Sequence, residues 1–316
     1  MGPHQANPSK PVLLVALGGN ALIRKGQRGS IDEQFENLQL PMRQIAGLLP
    51  EYRIIITHGN GPQVGNLLLQ QECCSEVPRL PLEILVAQTQ GQIGYMIETT
   101  LDNQLMQLGS NGQQLFVTLL SYVVVDEKDP GFQNPSKPIG PAFSQETAAG
   151  LPYPTRRTAR GYRRVVASPK PVTIVEKREI KKLIELGFLV IACGGGGIPV
   201  IRDSRSFQGV DAVIDKDLSS ARLAIEVGVE IFVIATDVPG VALSYDQPGQ
   251  QFLRRLTVAE AARYREQGEF PPGSMDPKIE AVMDFLQHGG ARAVICSVEQ
   301  IDRAVKGEAG TEFFVQ

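Results

Sequence analysis

Val213-Ile214-Asp215-Lys216-Asp217 sets a lysine between two acids where a helix is predicted to begin. Gly273-Ser274-Met275-Asp276-Pro277-Lys278 is similar: a turn, a helix start and one lysine in the first turns. Asn134-Pro135-Ser136-Lys137-Pro138 holds a third lysine between prolines, whose fixed φ stiffens the segment and presents Lys137 at a defined place. Ala235-Thr236-Asp237-Val238-Pro239-Gly240 ends an apolar strand on an acid, at the edge where open α/β sheets bind ligands. A lone surface lysine is usually a solvated charge. Lysines at helix starts oppose the dipole, which favours acids there, and a bound anion removes the conflict. Asp215 and Asp217 could hold Lys216 in place or simply neutralise it.

Three glycine turns, each straight after an apolar strand, supply the complementary part. Leu13 to Leu17 runs into Gly18-Gly19-Asn20, Ile54 to Thr57 into His58-Gly59-Asn60-Gly61, and Phe188 to Ala192 into Cys193 and Gly194 to Gly197. Such a turn lets backbone N–H groups approach an anion with no Cβ in the way, and a following helix adds its dipole. One turn is weak evidence, because many α/β folds use one for packing. Three point to a phosphorylated or carboxylated ligand.

Other machinery is missing from the sequence. There is no G-x-x-x-x-G-K-[ST] loop and no H-R-D loop, so neither the P-loop nor the protein-kinase apparatus applies. Gly59, Gly61 and Gly65 miss the dinucleotide fingerprint by one residue. Lysines, backbone N–H groups and few bases suit phosphoryl transfer, which needs positioning and charge neutralisation more than acid–base work.

The elements that must position these groups alternate. Apolar strands and amphipathic helices follow one another for most of the 316 residues, which predicts a largely parallel sheet covered on both faces. Helices are predicted over Ile31 to Leu49, Pro62 to Cys73, Pro81 to Leu108, Thr173 to Leu186, Lys216 to Glu226, Val258 to Glu266 and Met275 to Leu286. Between Glu127 and Tyr162 the alternation breaks into a proline- and glycine-rich stretch, the pattern of a lid or binding loop. Its aromatics (Phe132, Phe143, Tyr153, Tyr162) and the cluster Arg156, Arg157, Arg160, Arg163 and Arg164 favour a folded flap over a disordered insertion.

Composition closes off other classes. The net charge of −3 gives no reason to expect a nucleic-acid surface. The four cysteines lack metal-ligand spacing and read as buried reduced thiols, and three histidines make a histidine-based metal site improbable. No metal-ligating residue is assigned. No stretch approaches the ~20 apolar residues of a membrane span, and Met1 to Lys10 reads as a polar disordered tail rather than a signal peptide. The expectation is a soluble cytoplasmic protein.

The chain resembles the carbamate kinases of the amino-acid kinase superfamily. The matching stretches are Ala16 to Ala21, His58 to Asn66, Gln90 to Tyr95, Asn134 to Gly140, Gly194 to Val200, Gly209 to Asp217 and Gly273 to Lys278, in the family's order and covering nearly everything after residue 11. The resemblance implies a three-layer α/β/α sandwich around a large mostly parallel sheet, with a small protruding subdomain. It implies an N-terminal lobe (11–210) for carbamate or carbamoyl phosphate, carrying a flap at about 127–165, and a C-terminal lobe (211–316) for the nucleotide. The implied reaction is ATP + carbamate ⇌ ADP + carbamoyl phosphate with Mg²⁺, in arginine metabolism. Lys216 and Lys278 would neutralise the phosphates and the moving phosphoryl group, Asp217 would orient both lysines, and Lys137 would reach in from the flap. Gly18, Gly19, Asn20, Gly59, Asn60, Gly61, Gly195 and Gly196 would bind substrate oxygens. Asp237, Val238, Tyr245, Ser274 and Met275 would line the nucleotide pocket. Ala16 stands where acetylglutamate and uridylate kinases carry a lysine, consistent with Lys137 acting instead. The resemblance and the apolar helix Leu82 to Met96 point to a homodimer.

The chain departs from the family pattern in two places. The stretch between Phe143 and Arg160 looks short, with Arg156 to Tyr162 standing where an acid, a Gly-Arg-Gly and a tryptophan are expected. Asp276 occupies a position usually glycine or apolar, near enough to Lys278 to oppose phosphate binding. Three alternatives stay open: another small-acid kinase of the superfamily, a nucleotide-binding homologue without catalysis, and, disfavoured by its glycine spacing, a nicotinamide-linked enzyme.

Overall fold

Residues Val12–Leu17 are apolar without interruption, so a strand there must be covered on both faces. A computed structural model, describing residues 10–110, 114–158, 161–271 and 273–315, has that arrangement. The tail called disordered lies, Lys10 excepted, outside the described residues, as does Arg160.

The first half of the chain runs β1 (Val12–Leu17), α1 (Ile31–Leu48), β2 (Arg53–His58), α2 (Gly61–Glu72), α3 (Leu82–Gln107), β3 (Leu115–Thr118), β4 (Tyr122–Val125), β5 (Lys137–Phe143), α4 (Gln145–Ala149), β6 (Thr155–Thr158), β7 (Gly161–Val166) and β8 (Pro171–Ile174). It continues through α5 (Lys177–Glu185), β9 (Phe188–Ile191), β10 (Ile198–Arg202), β11 (Phe207–Gly209), α6 (Lys216–Val227), β12 (Ile231–Thr236), β13 (Ala242–Leu243) and β14 (Gln251–Phe252). It ends with β15 (Arg255–Thr257), α7 (Val258–Glu266), α8 (Asp276–Gln287), β16 (Arg292–Ser297), α9 (Ile301–Val305) and β17 (Thr311–Phe314).

Eight strands form the central sheet in the order β15-β17-β16-β12-β1-β2-β9-β3. Its neighbours are parallel except β16 and β17. Side chains alternate across β1: Leu13, Val15 and Leu17 join one core with α1, α3 and α9, while Val12, Leu14 and Ala16 join another with α5, α6 and α8. This is the expected three-layer α/β/α sandwich. A second sheet, β11-β10-β4-β8, and a third, β5-β7-β6, stand beside it.

The third sheet is the flap. It is folded, antiparallel and runs from Lys137 to Val166, with Lys137 opposite Val166. At its root, Gly65 of α2 meets Gly140 of β5 backbone to backbone. A β-carbon on Gly65 would overlap the Gly140 backbone, and Gly140 itself sits at φ +70°. One boundary is corrected. Thr173 opens no helix: Pro171–Ile174 pairs antiparallel with β4 and buries Ile174, and the helix begins at Lys177. The β-branched run Val172-Thr173-Ile174 prefers that pleated surface.

Candidate active site

The parallel strands put their C-terminal ends on one edge, and the three glycine turns follow from that geometry. Buried polar side chains lock the turns together. Gly18 N–H donates to the Ala235 carbonyl at 2.8 Å, tying the first turn to the end of β12. Asn60 Nδ2 donates to Thr89 Oγ1 at 2.9 Å, and Gln90 Nε2 donates to the Gly194 carbonyl at 3.0 Å, so α3 pins the other two. Gly195 lies at φ +67°, and a β-carbon there would overlap the Asn60 amide.

The lysines converge on two acids from one helix start. Asp215 caps α6, accepting from Asp217 N–H at 2.9 Å and Leu218 N–H at 3.3 Å. Its other oxygen accepts from Lys137 Nζ at 2.5 Å. Asp217 accepts from Lys216 Nζ at 2.5 Å on one oxygen and from Lys278 Nζ at 2.9 Å on the other. Asp217 thus orients both lysines, and Asp215 holds Lys137 rather than Lys216. Thr57 Oγ1 and Ser220 Oγ, 2.7 Å apart, bind this helix to β2.

Burial and charge set the protonation states. Burial opposes ionisation of Asp217, but the two ammonium groups outweigh it and hold its carboxyl far below the usual range. Asp215 is likewise pulled down against its burial, by Lys137. Burial lowers the Lys216 ammonium, with Asp217 partly offsetting it. At Lys278 burial acts the same way, but Asp217 and Asp215 prevail and raise it. His58, at the end of β2, is pushed down to about 4 by burial, so it is neutral at physiological pH.

One cleft of about 420 Å³ collects these groups. Gly18, Gly19, Asn20, Gly59, Asn60, Gly61, Gly195 and Lys137 line it, as do Asp237, Val238, Tyr245, Ser274 and Met275. Lys216, Asp217 and Lys278 line it too. Gly196 does not line it; it is buried against Ile214 behind the wall. The sequence reading missed Arg163 and Phe270 as lining residues. Arg163 also donates Nε to the Gly140 carbonyl at 3.0 Å. The arginine cluster of the flap was visible, but strand alternation chose which member turns inward. Among the described lining residues, Lys137, Arg163, Lys216 and Lys278 face Asp215, Asp217 and Asp237, a surplus of cations suited to phosphate.

Comparison with known proteins gives the family. The model of the amino acid kinase family matches residues 11–297. A carbamate kinase of Thermococcus kodakarensis is 46% identical over 310 residues, covering 95% of this chain and 98% of its own. A carbamate kinase from Giardia lamblia bound to citric acid superposes with a TM-score of 0.92 at 35% identity, covering 98% of this chain and 99% of its own. The same protein bound to AMP-PNP gives a TM-score of 0.87 at 35% identity, with the same shares covered. Fold, cleft and relatives together place this chain in the amino acid kinase family, among the carbamate kinases.

Proposed function

We propose that this chain catalyses ATP + carbamate ⇌ ADP + carbamoyl phosphate. The observation that carries the reading is the pair Lys216 and Lys278 held on one buried Asp217 between the glycine turns. Two cations on one acid leave positive charge for the phosphoryl group as it passes between oxygens. The carbamate oxygen is already anionic, so forming its bond to phosphorus while the bridging oxygen–phosphorus bond breaks needs no general base. The cleft fits that demand: no histidine lines it among the described residues.

In this reading the lobe 11–210 takes carbamate or carbamoyl phosphate near Lys137 and the turns at 18–20 and 59–61. The lobe 211–316 takes the nucleotide against Asp237, Val238, Tyr245, Ser274 and Met275. That the Giardia relative has been solved bound to AMP-PNP supports a nucleotide ligand. Among the described residues no group of three His, Cys, Asp or Glu is placed to hold a metal ion, and Asp215 and Asp217 are engaged by lysines. That donor set fits a Mg²⁺ brought in with the nucleotide, which Asp237 on the cleft wall would hold. The ion would screen charge on the β- and γ-phosphate oxygens.

A homodimer is part of the proposal. It is supported by exposed apolar side chains on α3 and at the free edge of the sheet, Ile84, Tyr95, Leu115 and Leu120. No helix among the described residues is long and apolar enough to cross a membrane, and a cytoplasmic place in arginine metabolism belongs to the same reading. The test is ATP formation from ADP, Mg²⁺ and carbamoyl phosphate, followed by luminescence, with Lys216→Ala as control. Activity abolished in the variant supports the reading. ADP binding without activity in the native protein would point to another acceptor or a non-catalytic homologue.

A further inference from the structure

Asp276 stands in the first turn of α8, two residues before Lys278, where its charge would oppose an incoming phosphate. The structure shows what meets it. Arg265, in the last turn of α7, donates Nε to Asp276 Oδ1 at 2.6 Å and Nη2 to Oδ2 at 3.1 Å. The same Nη2 reaches Glu280 Oε2 at 2.5 Å, one turn further along α8. The other Glu280 oxygen accepts from Lys170 Nζ at 2.5 Å, and Lys170 N–H donates to Asp129 at the base of the flap at 3.0 Å. None of these residues lines the cleft.

Local chemistry explains why the first turn of α8 needs such support. Its N-cap, Met275, provides no side-chain cap, and Pro277 follows within the turn. An acid at Asp276 compensates by interacting with the helix dipole. Left alone it would also subtract from the field that Lys278 offers. A bidentate guanidinium removes that charge at a fixed geometry, which a lysine could not do.

We propose that Arg265 is a positioning residue for the nucleotide subsite: it cancels the charge of Asp276, so that Lys278 meets the phosphates at full strength. The proposal rests on the kinase reading above. It also changes the meaning of Asp276, which becomes a first-turn acid facing the helix dipole, with a counter-charge that it shares with Glu280.

The test is ADP affinity by titration calorimetry at low salt for the native protein, Arg265→Met, Asp276→Ala and the double variant. Arg265→Met should weaken ADP roughly fivefold, the size of one uncompensated charge acting across partly solvated surroundings. The loss should shrink toward twofold or less in about 0.5 M salt. The double variant should return to within about twofold of native, because the acid that needed cancelling is gone. In turnover assays the KM for ADP should rise while kcat stays within about twofold. An unchanged affinity in Arg265→Met, or a double variant as weak as the single one, overturns the proposal. Should Arg265→Met not fold, Asp276→Ala decides: affinity within about twofold of native is expected, and a fivefold loss would overturn the proposal, because the acid would then be helping the site rather than opposing phosphate. Native protein that binds no ADP would sink the kinase reading itself; native binding with no Arg265 effect sinks only the clamp.

Discussion

The two ion-pair groups in the cleft are built to opposite rules. Lys216, Asp217 and Lys278 are two cations on one acid, with the acid side chain 4% exposed and both lysines on helices packed into the core. Lys137 and Asp215 are one cation on one acid, with the lysine on the flap and 25% exposed. The first group is fixed and leaves charge over; the second is balanced and carried by a separate sheet. On the proposed mechanism, the fixed surplus serves the transferred group. The parked lysine serves the acceptor, whose anion competes with Asp215 for it.

Removing a member of the fixed group should have the largest effect. Lys216→Ala should lower turnover roughly 10²–10³-fold, as expected for losing a preorganised charge aimed at the transition state. A loss under about fivefold would remove it from the catalytic set. The fixed side also rests on His58, which is 1% exposed and whose imidazole sits at about 4 instead of 6.5. Between those values the unfolded chain takes up a proton that the folded one refuses. Stability is therefore full above pH 6.5 and falls as the pH drops toward 4, by an amount on the order of 3 kcal/mol from this residue. Unfolding free energies across that window should slope less in His58→Gln; equal slopes would show that His58 does not carry the dependence.

The flap side should respond more mildly and more selectively. Lys137→Ala should raise the KM for carbamoyl phosphate roughly tenfold, the worth of one charge-assisted hydrogen bond, while ADP binding stays nearly intact. Equal damage to both ligands would erase the distinction between the two groups. The smallest expected effect comes from thiol alkylation. Among the described residues no cysteine lines the cleft, and Cys193 and Cys296 are buried, with burial pushing their thiols up to about 12. Alkylation at neutral pH should reach exposed Cys73, correcting the reading of all four thiols as buried, and should change ADP affinity less than about twofold.

What could be read in advance follows the range of the forces involved. The glycine turns were legible because each answers a local backbone demand at one or two positions. The strands were legible because burial on both faces leaves an unbroken apolar run, as in Val12–Leu17. The partner of Lys137 was not, since Asp215 lies 78 residues away and the pairing depends on how the flap docks. Arg163 was hidden for a related reason. The arginines of that stretch look alike until strand pairing assigns Arg156, Arg157, Arg163 and Arg164 to faces. Arg265 carried no local signal at all, because its role exists only through Asp276 on the next helix.

The contact between Gly65 and Gly140 has a mechanical consequence. It pins the flap close to its working end: Lys137 lies three residues to one side, while Phe143, α4 and β6 extend on the other. An arm pinned there behaves as a lever with unequal lengths. Arg164 of β7 donates Nη1 to Glu72 of α2, the helix of Gly65, at 2.6 Å, so the arm is tied to α2 there by charge as well as by backbone contact. The loop's reach toward solvent and the lysine's aim are thereby separated, and insertions or deletions at the tip can accumulate without retuning the lysine.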